Sequence, residues 1–206
     1  MQIRKSTSAI AILVALAAPL CVRAAEDADQ AFQQATKLIE PYLVLTDRSS
    51  ADARTEQGRV ELARAITMLT RITEANPGHW PSYWFIGKAN QALRDHSEAF
   101  LAFKRSLNLA PSNPSVAKEF VIEAICTGAT SEAVAAAGQV ADSNPSNAGL
   151  LSNLGLALLA DGKVPQALEV TERALAMAPS DRITRSLLEE IIQVQAGRTP
   201  SKYCPT

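Results

Sequence analysis

The sequence predicts an all-α fold of stacked helical hairpins, an α-solenoid, and three observations carry that prediction. The first is a register. Gly87, Ala99 and Pro111 stand at offsets 8, 20 and 32 of a 34-residue unit that begins at Trp80. One period on, the same offsets hold Val121, Ala133 and Pro145, and a second period on they hold Gly155, Ala167 and Pro179. The second is that Pro77 lies one period before Pro111, so four prolines share one spacing. A period in the range of about 20–50 residues marks a stacked repeat protein. The third is composition: 47% hydrophobic residues with only 5% aromatics, led by Ala and Leu. That mixture suits helices packed through small contacts better than a β-sandwich, which draws on β-branched and aromatic residues. A chain of 206 residues has room for one short solenoid.

In chain order, residues 1–24 read as a secretory signal peptide. Arg4 and Lys5 supply a positive start, and Ala9–Leu20 is an apolar run of 12 residues, short for a membrane span. Small residues at Val22 and Ala24 place cleavage after Ala24. The alternative is an uncleaved anchor. Export to the periplasm, or secretion, with no stable membrane insertion after cleavage is the expectation. From Glu26 to Glu40, Ala28, Phe32, Ala35 and Ile39 recur at helical steps, and Pro41 interrupts. Thr46 to Ser50 is a polar loop. A second helix is expected from about Ala53 to Asn76, with Val60, Leu62, Ala65, Ile66, Leu69 and Ile72 as its buried stripe. Ala65 and Pro77 keep the frame, so 25–79 reads as N-terminal helices that include a degenerate first repeat.

Residues 80–113, 114–147 and 148–181 are the three clear units, each a helix–turn–helix. Tyr83, Ile86, Gly87 and Asn90 share one face of the first helix of unit one; Ala99, Phe103, Ser106 and Leu107 share the facing stripe of the second. Small residues at offsets 8 and 20 let the two axes approach. Proline at offset 32 stops the second helix. Gly128 and Gly162 at offset 15 favour a turn with positive φ, whereas unit one carries Arg94 there. Asn113-Pro114 reads as an N-cap followed by proline at the first helical position. Residues 182–197 continue as an amphipathic capping helix through Leu187, Leu188, Ile191, Ile192 and Val194, closed by Gly197. Residues 198–206 are an irregular tail.

The set Ile86-Gly87, Ala99, Phe103, Leu107 and Pro111, with Leu154-Gly155, Ala167, Ala174-Leu175 and Pro179, resembles the tetratricopeptide repeat. The resemblance covers residues 80–181 well and 46–79 in part. Unit two departs from it, with Val121 where Gly is usual and Ala137 where a large residue is usual; looser packing or an altered superhelical angle is expected there. The resemblance implies a right-handed solenoid whose first helices line a concave groove for a peptide or protein segment. By the family's groove offsets, unit one contributes Trp84, Lys88 and Gln91. Unit two contributes Lys118, Ile122, Ile125 and Cys126, and unit three contributes Ser152, Leu156 and Leu159, with Asn153 at the edge. The apolar strip among them marks an interaction site, unless the chain's own N-terminal helix or tail covers it. The family's carboxylate clamp is not reproduced, since only Lys88, Lys118 and Asn153 are at hand.

Other functions find little support. The net charge is −1, and no basic face suggests nucleic-acid binding. Histidines occur at His79 and His96 alone, with no acidic cluster at ligand spacing, so neither a metal site nor a cofactor is expected. No nucleophile–base set can be assembled, and catalysis is not expected. Trp80 reads as a repeat-junction residue, and His96 as a packing residue. Two cysteines follow the leader, Cys126 and Cys204, and an exported chain is able to oxidise them. Cys204 lies seven residues beyond Gly197, a reach of about 25 Å if extended, so a bond would pin the tail along the groove. The alternative is two unrelated cysteines, one buried and one loose. The functional expectation is a non-catalytic adaptor for a protein or peptide partner in the cell envelope, serving assembly or maturation of a complex. The alternative is a structural, self-associating subunit, its groove filled by its own tail or by another copy.

Overall fold

Helix caps and turns recur along the chain with the same period as the prolines, and they set the architecture. The computed structural model describes residues 26–43, 51–201 and 204. The expected leader, 1–24, and the polar stretch 46–50 lie outside these. Helix α1 covers 26–39 and ends in a 3-10 turn, Glu40–Tyr42, that carries Pro41. There follow α2 (Glu56–Ala75), α3 (Trp80–Leu93), α4 (His96–Leu109), α5 (Pro114–Cys126), α6 (Thr130–Ser143), α7 (Ala148–Ala160), α8 (Val164–Met177) and α9 (Arg182–Gln195). Among the described residues there is no strand, and no helix is long and apolar enough to cross a membrane. Each helix from α2 to α9 packs on the next, and α7 also packs against both α5 and α9. This is an all-α helical-repeat solenoid with three hairpins, α3–α4, α5–α6 and α7–α8, and α9 at its end.

The start and stop of each unit follow from local chemistry. Asn113, Asn147 and Asp181, one period apart, each accept hydrogen bonds from the first exposed backbone N–H groups of α5, α7 and α9. The first helices of units one and three end alike. The N–H of Lys163 reaches the carbonyl of Leu158 while that of Gly162, at φ +75°, reaches Leu159. The N–H of Asp95 reaches Asn90 in the same way around Arg94, which adopts φ +62°. Arg94 therefore takes the left-handed position that glycine holds elsewhere, and the departure in sequence leaves the turn unchanged. Gly197, at φ +99°, closes α9 with the matching pair of bonds from its own N–H and that of Arg198.

Inside each hairpin, offsets 8 and 24 meet, and their sizes trade. A Cβ on Gly87 would stand 2.6 Å from the Phe103 ring, and one on Gly155 would stand 2.1 Å from Thr171 Oγ1. In unit two the large residue is on the other helix: Val121 faces the small Ala137, and both are buried. α5 and α6 contact each other less extensively than the helices of the other two hairpins, yet Val121 and Ala137 are both buried at their joint.

Two expectations about exposure change. Val60 is 60% exposed, leaving Leu62, Ala65, Leu69 and Ile72 as the buried stripe of α2. That stripe packs with Ala35 and Ile39 of α1 and Ala89 of α3. Ile192 is half exposed, because α9 has neighbours on one side and buries only its Leu187–Ile191 stripe.

Candidate functional site

The first helices of successive units, α3, α5, α7 and α9, share a face that carries two depressions. The deeper one, about 550 Å³, lies between α3 and α5 and is lined also by residues 51–54, Tyr42 and Leu43. It brings together Lys88, Gln91, Ile122 and Cys126 of the expected groove, with His96, Arg94 and Glu123 beside them. The second, about 360 Å³, lies across the N-terminal ends of α5, α7 and α9 and gathers Lys118, Ser152 and Asn153. Neither depression takes in the remaining four. Trp84 is half buried, its ring perpendicular to that of Phe85 at 4.9 Å between centroids, and its Nε1 is buried with no hydrogen-bond partner among the described residues. Ile125 packs toward the core made by Phe120, Ala124 and Ala133. Leu159 is 1% exposed because α9 covers it, and Leu156 rests against the same cluster. Of the apolar strip expected in the groove, Ile122 alone lines one of the two depressions, and Leu159 is taken into the core beside α9.

A polar chain crosses the deeper depression. Lys88 Nζ pairs with Glu119 Oε2 at 3.2 Å and also bonds the side-chain oxygen of Gln91. Gln91 Nε2 donates to Glu119 Oε2 at 3.2 Å and to Glu123 Oε1 at 2.9 Å. The other carboxylate oxygen of Glu123 meets His96 Nδ1 at 2.8 Å. Glu123 is 1% exposed, so this chain is what satisfies a buried carboxylate on α5. Lys88 also lies 5.9 Å from the centre of the Trp84 ring.

At the wall, Tyr42 donates its hydroxyl to Glu61 Oε2 at 2.7 Å. That bond, with burial and the carboxylate's charge, pushes the Tyr42 pKa up to about 12, while the same bond holds Glu61 below the usual range.

The sequence reading misses Glu123 and misjudges its neighbours. His96 does not stand apart from other donors: His96, Glu123 and Cys126 offer ligand atoms all within 4.8 Å of one another. The signal was a single acid set between Val121-Ile122 and Ala124-Ile125, one turn before a cysteine. Cys126 is bonded to Cys204, with Cα atoms 5.4 Å apart across 78 residues of chain. The tail leaves α9 with the N–H of Ser201 on Glu190 Oε1, at 2.8 Å, and is tied to the end of α5.

A family model for the tetratricopeptide repeat matches residues 49–114 and 127–182. Among curated proteins, the cytochrome c-type biogenesis protein CycH of Pseudomonas aeruginosa is 24% identical over 162 residues. The match spans 69% of this chain but only 40% of that protein. Among solved structures, MamA (41-end) from Desulfovibrio magneticus RS-1 superposes with a TM-score of 0.58 at 18% identity, over 67% of this chain and 78% of that one. The first TPR of Spaghetti (RPAP3), bound to the HSP90 peptide SRMEEVD, gives 0.51 at 19%, over 57% and 94%. These structural likenesses concern the fold alone. With more than half of its length matched in the repeat frame, the chain belongs to the tetratricopeptide repeat family.

Proposed function

We propose that this protein is a non-catalytic adaptor in the cell envelope that takes a segment of a protein partner on the face of its first helices. The observation that carries the reading is the 550 Å³ depression between α3 and α5, where an apolar wall at Ile122 stands beside polar groups on Lys88 and Gln91. A peptide needs that combination, apolar contact for affinity and fixed donors and acceptors for register. The second depression, with Lys118, Ser152 and Asn153, extends the same face toward α9. Two likenesses support the reading: the Spaghetti repeat carries a bound peptide, and CycH is named for cytochrome c biogenesis. Maturation of an envelope complex is the corresponding role here, on an exported chain.

A second reading rests on the Cys126–Cys204 bond: the tail is held against α5, so the protein's own C-terminus shares this face. Photo-reactive residues introduced singly at Ile122, Lys118 and Val60, in cells carrying the full chain, separate the two readings. Cross-links to another protein from Ile122 and Lys118, and none from the exposed Val60 of α2, are expected. Cross-links only within the chain, or only to a second copy, would replace the adaptor with the self-occupied subunit.

A further inference from the structure

We propose that the reduced protein holds one Zn²⁺ at the joint of α4, α5 and the C-terminal tail, through His96, Glu123, Cys126 and Cys204. Tetrahedral zinc with sulfur, nitrogen and oxygen ligands needs donor atoms about 3.3–3.8 Å apart, as bonds of about 2.0–2.3 Å dictate. His96, Glu123 and Cys126 already present theirs within 4.8 Å of one another, and Cys204 is brought to the same point by its bond to Cys126. Three of the ligands sit on rigid supports. Glu123 and Cys126 are one turn apart on α5, and His96 is the first residue of α4. The space for the ion lies between His96 Nδ1 and Glu123 Oε2, now 2.8 Å apart, which must part by about half an ångström.

The surroundings favour a cation. Glu123 is 1% exposed, and a buried carboxylate is costly unless an opposite charge meets it. Lys88, which lines the same depression, is bonded to Glu119 and Gln91. Gln91 Nε2 donates to Glu123 Oε1, which leaves Oε2 as the ligating atom; Gln91 is thus a positioning residue for the site. The cluster opens onto the 550 Å³ depression, which gives the ion a way in.

Disulfide and metal are mutually exclusive because they use the same sulfurs. Reduction by a dithiol places two electrons and two protons on Cys126 and Cys204 and leaves the dithiol as its own disulfide. Each thiol then releases its proton as it takes the ion, and His96 binds as the neutral imidazole with its proton on Nε2. The tail is held to α5 in the oxidised and the zinc-bound forms, and released only in the reduced, metal-free form.

The test uses the full chain, either oxidised or reduced with a phosphine that is then removed without air. Co²⁺ is titrated as a spectroscopic probe, and Zn²⁺ is used to displace it. The reduced wild type is expected to take one Co²⁺ with a thiolate charge-transfer band that Zn²⁺ abolishes, and the oxidised form to show none. His96→Ala and Glu123→Gln should each weaken binding by more than about tenfold, and Gln91→Ala by about 10–100-fold. Helicity by circular dichroism checks each variant; if His96→Ala is not folded, His96→Gln takes its place. Absence of the band in the reduced wild type would overturn the site. So would wild-type affinity in both His96 and Glu123 variants, since the cysteines would then bind alone.

Discussion

At the scale of single residues, the packing of this solenoid turns on pairs across each hairpin. Gly87 is required by the Phe103 ring, and a methyl group there would force either the ring or the helix to move. Gly87→Ala is expected to destabilise the protein by about 1–3 kcal/mol, the usual range for overpacking, as read by chemical denaturation. Gly155 answers to Thr171, whose hydroxyl is buried without a hydrogen-bond partner among the described residues. Thr171→Val keeps the shape and removes the unsatisfied oxygen. Its expected effect is no loss, or a gain of up to about 1 kcal/mol, in the same measurement. A clear loss would mean that the hydroxyl has a partner in solution. The repeat frame made the glycines legible in sequence, but the volume exchange at Val121 and Ala137 was not, because it depends on which atoms face each other across two helices.

Helices as elements are held at their ends by side chains that recur every 34 residues. Asn147 caps α7 through a bond from Leu150 N at 3.3 Å. Asn147→Ala should cost about 1 kcal/mol, measured as a lower thermal midpoint. Between units, Asp161 at the end of α7 accepts from Thr130 Oγ1 at 2.6 Å and Ser131 Oγ at 3.1 Å, and pairs with Lys163. It thereby joins the start of α6 to the turn before α8. The Thr130 bond, followed by that of Lys163, holds the Asp161 carboxyl below its usual range. The sign follows from linkage. A depressed carboxyl contributes stability above its unfolded value of about 4 and loses it as pH falls through the depressed folded value. Asp161→Asn is therefore expected to lower stability at neutral pH and to flatten its fall in acid; denaturation curves at pH 7 and pH 3 check both. The cap at Asn113 and the glycine turns read from sequence, since each needs only residues a few positions apart, whereas the bridge from Asp161 to Thr130 spans 31 positions and does not.

Across the whole molecule, a solenoid touches itself mainly between neighbouring units, so the Cys126–Cys204 bond is unusual in closing 78 residues into one loop. Cys204→Ser is expected to lower stability by about 2–4 kcal/mol. Amide exchange should accelerate in α6–α9, which lie within the loop, and change little in α2–α4. Uniform acceleration along the chain would show that the bond acts on the fold as one body.

The sequence by itself determined the all-α helical-repeat class, its 34-residue period and the glycine turns between helices. These rest on short-range rules: apolar residues at steps of three and four, an N-cap at Asn113, and left-handed turns at Gly128, Gly162 and Gly197. Arg94 adopts the same turn because the surrounding backbone bonds impose it. Only the tertiary structure decided which residues of the shared face stay open. Leu159 is lost to α9, and Ile122 is kept because residues 51–54 stand off from it across the depression. It alone also brought Glu123 to His96, 27 positions away on another helix, beside the sulfur of Cys126. Such meetings depend on how two helices are rotated about their axes, and a one-residue change of rotation, about 100°, carries a side chain from core to solvent.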